Sequence, residues 1–110
     1  MDFKNWTKEE FKAYLLIYAA QSNFNESEEE IDFIESKFEP ELISRVNKEI
    51  KNLNDFDKIS IVTDYIKIHD FSQDELDNLL LEIKEIYHSD GKFDSIEQSI
   101  FSMLKKLLKN

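Results

Sequence analysis

A chain of 110 residues has room for one hydrophobic core and not for two, so residues 1–110 are read as a single domain. Its 41% hydrophobic content, with 9 Phe and 4 Tyr, excludes a disordered polypeptide, and the lack of cysteine excludes disulfides and thiolate metal or redox chemistry. A net charge of −10 argues against nucleic acid as a partner, because phosphate binding rests on clustered Lys and Arg.

No apolar run reaches the length of a membrane span, and the start, Met1-Asp2-Phe3-Lys4-Asn5-Trp6, has no basic segment followed by an apolar core. The expected address is the cytoplasm. One Gly and one Pro leave few tight turns for hairpins, whereas apolar residues recur at helical spacing throughout.

The first predicted helix opens on Thr7 and Glu10 at capping-box spacing and carries Phe11, Tyr14, Leu15, Tyr18 and Ala19 on one stripe. Leu16, Ile17 and Ala20 widen that stripe until Lys12 is almost the sole polar residue, which predicts a central position. Asn25 and Glu28 predict the cap of a second helix with Ile31, Ile34 and Phe38 inward. Pro40 suits the first turn of a third, with Leu42, Val46, Ile50 and Leu53 inside.

After Asn54 and Asp55, a fourth helix offers Ile59, Val62 and Ile66, with Ile61, Tyr65 and Ile68 on a neighbouring line. Ser72 and Glu75 cap a fifth, lined by Leu76, Leu79, Leu80, Ile83 and Tyr87. Asp94 and Glu97 cap a sixth, whose inward set is Ile96, Ile100, Met103, Leu104 and Leu107. Lys105, Lys106 and Lys109 in its last turns complement the helix dipole. The expectation is an all-α, compact bundle of about six helices.

The stretches 17–31 and 86–100 share residues at Ile17/Ile86, Tyr18/Tyr87, Phe24/Phe93, Glu28/Glu97 and Ile31/Ile100. This predicts a pseudo-repeat relating helices 1 and 2 to helices 5 and 6, each pair joined at an acidic corner. In the second corner Gly91 reads as a helix terminator, Phe93 as a staple into the core, and Asp94 with Glu97 as a capping box. The alternative is that Asp90, Asp94 and Glu97, joined by Glu28 of the first corner, gather around a divalent cation, since hard cations need several oxygens. An EF-hand is excluded, because Ile86 and His88 would occupy its first and third ligand positions.

Glu26, Glu29 and Glu30 at the start of the second helix are candidates for a face that docks a protein partner, and acids there also favour the helix dipole. His69 and His88 lack zinc-type spacing, and Phe3, Trp6 and Tyr14 are expected in the core. No nucleophile elbow, phosphate-binding glycine loop or cysteine nucleophile is present, so no catalytic residue is expected.

The run Ile86-Tyr87-His88-Ser89-Asp90-Gly91-Lys92-Phe93-Asp94-Ser95-Ile96-Glu97 resembles the acidic helix-turn-helix corner of TerB-like (tellurite-resistance) domains, with residues 18–28 similar to their first corner. The resemblance implies an all-helical cytoplasmic bacterial domain without enzyme activity. Such a domain is associated with stress response and acts by divalent-cation binding or as an adaptor at membrane-associated complexes. Asp90 and Glu97 match the acids of the second corner and Glu28 the Glu of the first. Gln21 and Ser22 stand where that pattern has Asp-Gly.

Overall fold

The computed structural model describes residues 3–22, 28–89, 91 and 93–109. A 3-10 turn at Phe3–Asn5 leads into α1 (Lys8–Ser22), α2 (Glu28–Lys37), α3 (Pro40–Ile50), α4 (Asp55–Ile68), α5 (Gln73–His88) and α6 (Ser95–Lys109). No strand occurs among the described residues, and the chain is an all-α bundle. Its radius of gyration of 13.0 Å is that of one globule of this length, about 13 Å.

Helix starts follow the polar residues that satisfy their free amides. Thr7 and Glu10 exchange side-chain-to-backbone hydrogen bonds of 3.1 Å each, closing the box at α1. Asn54 accepts from the Asp57 amide at 2.8 Å, and Ser72 and Glu75 form a full box at α5. Pro40 opens α3, where its missing N–H has no intrahelical acceptor to lose. The expected cap at Asn25 lies outside the described residues.

The centre of the bundle is α1, in which Phe11 and every residue from Ala13 to Ala20 is buried. It packs on α2, α3, α5 and α6, while α4 leans on α6 and on the N-terminal turn. Three core tyrosines direct their hydroxyls to carbonyls of other segments: Tyr14 to Lys58 at 2.6 Å, Tyr65 to Trp6 at 2.7 Å and Tyr87 to Ala19 at 2.8 Å. Each bond lets an aromatic body be buried with its polar tip satisfied. Trp6, itself buried, donates from its indole N–H to Glu49.

α1 and α5 run parallel. Lys8 pairs with Glu75 near their starts, Lys12 with Glu82 midway, and Ala19 with Tyr87 near their ends. The chain therefore leaves both helices at the same end of the bundle. Beyond that point the proposed alignment of the halves shifts. α2 begins at Glu28 and α6 at Ser95, so the third residue is Glu30 in one and Glu97 in the other.

The buried face of α6 differs in part from expectation, Leu104 lying inside as expected and Ile96 outside. In α6 the fully buried positions are Glu97, Leu104 and Leu108, with Ile96 43% exposed. In α4 the buried residues Ile61, Val62 and Tyr65 come from both lines read from the sequence, and Ile68 is 51% exposed.

Candidate functional site

The end of the bundle where α1 and α5 stop is also where α2 and α6 start, and Tyr87 stands at the junction. Burial, and then the negative fields of Glu97, Glu30, Tyr18 and Asp94, hold its phenol far above the ordinary tyrosine range. The fields of a glutamate from each of the two helix starts thus reach one phenol. Both are buried, at 0% exposure for Glu30 and 1% for Glu97.

At the second corner the capping geometry holds. The Asp94 side chain accepts from the Glu97 amide at 2.9 Å, and the Glu97 carboxylate accepts from the Asp94 amide at 3.2 Å. Gly91 has φ +81°, the left-handed backbone that a side chain resists, and its amide bonds to the His88 carbonyl at 2.9 Å. Phe93 stacks on Tyr87 with centroids 6.1 Å apart and meets Phe101 edge-on at 6.2 Å, which pins the corner to the core. His88 lies on the Phe93 ring at 4.8 Å and is otherwise exposed.

The candidates of the first corner separate. Glu28 and Glu29 are exposed on the first turn of α2, whereas Glu30, expected beside them on a docking face, is fully inside. A helix turns about 100° per residue, so only one of three consecutive glutamates can face the core, and here it is the third. Glu26 and Asp90 lie outside the described residues.

Glu28 thus points to water while Glu97 points inward, and Asp94 and Glu97 bond to each other's amides. Among the described residues, no group of three or more His, Asp or Glu side chains comes together to hold a metal ion. The described carboxylates alone do not make a coordination sphere.

Glu30 is the site residue that sequence reasoning assigned to the wrong environment. The signal for it is the Ser27-x-x-Glu30 spacing, the same box pattern as Asp94-x-x-Glu97, which competes with the Asn25-x-x-Glu28 reading two residues earlier.

On the outside, α2 presents Glu28, Glu29, Asp32 and Glu35, all exposed. Four acids elsewhere are paired, Glu10 with Arg45, Glu75 with Lys8, Glu82 with Lys12 and Lys37, and Asp77 with Lys109. None of the ion pairs among the described residues engages the α2 strip. Lys8 and the Ser72 amide hold the Glu75 carboxyl below the usual range, the amide contributing most.

These features define an all-α bundle with a central helix, a buried two-glutamate junction and an acidic outer helix. No protein-family model, curated protein or solved structure matches the chain.

Proposed function

We propose that this chain is a non-enzymatic, TerB-like interaction domain of a stress response, whose acidic α2 surface docks a basic protein partner. One observation carries the reading. Glu28, Glu29, Asp32 and Glu35 are four exposed acids crowded on one ten-residue helix, and none of the ion pairs among the described residues reaches them. Like charges at i,i+3 and i,i+4 cost a helix about 0.2–0.5 kcal/mol per pair. A strip kept at that cost fits a surface selected for binding rather than for stability.

The test combines two measurements on one set of variants. Asp32→Lys and Glu29→Lys, alone and together, should weaken salt-sensitive capture of a basic partner while leaving the thermal midpoint unchanged or higher. Capture that survives both reversals rules out the α2 strip.

A divalent cation at the twin corners is the second reading, favoured by the burial of one glutamate, Glu30 and Glu97, at each of the two helix starts. It requires that the midpoint of chelator-treated protein rise with free Ca²⁺, Mn²⁺ or Zn²⁺, and that Asp90→Ala and Glu97→Gln abolish the rise. An identical response in all three proteins would reduce the effect to screening of the −10 charge.

A further inference from the structure

α2 and α3 both rest on α1, and the space between them is an apolar groove. Ile17 of α1, Ile31 and Ile34 of α2 and Ile43 of α3 line it. It continues past Pro40 as a second opening that shares Glu35, Ile43 and Asn47 with the first; the two measure about 210 Å³ and 560 Å³. Ile31 is 37% exposed, so the floor reaches the surface.

The two lips differ in charge. Glu35 borders the groove, and Glu28 and Asp32 precede it on the same side of α2 at i−7 and i−3. The α3 lip is neutral at Ser44 and Asn47, and becomes basic beyond them at Lys48 and Lys51.

We propose that this groove binds an amphipathic helix of a partner protein, with an apolar stripe on Ile31, Ile34 and Ile43 and a basic edge on the α2 lip. This deepens the proposed function by naming the site and the partner's chemistry, and it rests on that reading. Charge complementarity decides the occupant and its orientation. An aliphatic floor selects a stripe at i, i+3/i+4, i+7 spacing, and one acidic lip selects lysines or arginines along one side of it. Lys48 and Lys51 disfavour a helix that is basic on both sides. A second copy of this chain fits less well, because two molecules of charge −10 repel each other.

The probe is a synthetic helical peptide with a leucine stripe and lysines on one edge, titrated against the whole chain by calorimetry and amide NMR. Two control peptides carry glutamates on that edge or the same residues with the stripe scattered. The expected result is saturable binding of the first peptide only, with shifts centred on Ile31, Ile34, Ile43 and Asn47. Ile31→Ser and Glu35→Lys should each weaken it at least about tenfold, and Asp64→Lys, on α4, by no more than about twofold. Ile31 and Glu35 are surface positions, so both variants should keep the wild-type thermal midpoint within a few degrees.

Equal loss with Glu35→Lys and Asp64→Lys, or binding indifferent to Ile31→Ser, overturns the groove and leaves only generic attraction of opposite charge. If the peptide binds elsewhere while Asp32→Lys still abolishes partner capture, the groove falls and the acidic-strip reading stands. Self-association in sedimentation that is lost in Ile31→Ser makes a second copy the occupant and overturns the proposal.

Discussion

Single side chains at the junction of α1, α2, α5 and α6 carry distinct tasks that substitutions can separate. Glu97→Gln keeps an acceptor for the Asp94 amide, so the cap survives and the unfolding midpoint should hardly move. Glu97→Ala removes that acceptor and should cost about 0.5–2 kcal/mol in chemical denaturation. At Gly91 an added methyl meets no atom within 4 Å, so crowding is not the issue. The backbone alone resists, and Gly91→Ala should cost about 1 kcal/mol, with Gly91→Asn costing less because Asn tolerates the left-handed region.

The tyrosines set the alkaline limit. Burial raises the phenols of Tyr14, Tyr18, Tyr65 and Tyr87 above their value in an unfolded chain. The folded state therefore holds its phenolic protons more tightly than the unfolded state, and their contribution is complete below about pH 10. Above that pH the midpoint should fall steeply, and Tyr87→Phe should soften the fall while losing the bond to Ala19. A midpoint flat to pH 11.5 would contradict the buried phenols.

Among the helices, α6 shows how a correct helix can present a different face. Its sequence offers the inward set Ile96, Ile100, Met103, Leu104 and Leu107, and a neighbouring line of Glu97, Phe101 and Leu108 that also runs through Leu104. Hydrophobicity favours the first, since it contains no charge. The structure buries Glu97, Leu104 and Leu108, because the corner fixes the rotation of the helix by bonding Glu97 to the Asp94 amide. Leu104→Ala and Leu108→Ala should each cost about 2–5 kcal/mol, whereas Ile96→Ser, at 43% exposure, should cost far less. The reverse order in urea denaturation would restore the first line as the buried one. α2 poses a similar choice at its start, where three consecutive glutamates offer no hydrophobic clue and the inward one is chosen by the phase of the helix. α1 left no such choice, since it is apolar on nearly every side and buries whichever way it turns.

For the molecule as a whole, the −10 charge is a standing repulsion that the fold relieves locally and salt can relieve further. Raising sodium chloride from about 20 mM to about 300 mM should raise the thermal midpoint, since exposed like charges are screened beyond roughly one Debye length. Neutralising the α2 strip with Glu28→Gln, Asp32→Asn and Glu35→Gln should raise the low-salt midpoint and flatten that salt dependence. An unchanged salt slope would place the repulsion elsewhere.

The sequence by itself determined the helical class, the six segments, the caps of α1, α4, α5 and α6 and the central role of α1. Each of these follows from periodicity and from side chains bonding within three residues of themselves. It also placed the two acidic corners at the ends of the helices that bear Tyr18 and Tyr87. Only the tertiary structure decided that α1 and α5 lie parallel, that Glu30 and Glu97 are the buried glutamates of their helix starts, and that α2 and α3 stand apart over Ile17. Those outcomes depend on how helices rotate and pack against partners far away in the chain, and local patterns do not encode that phase.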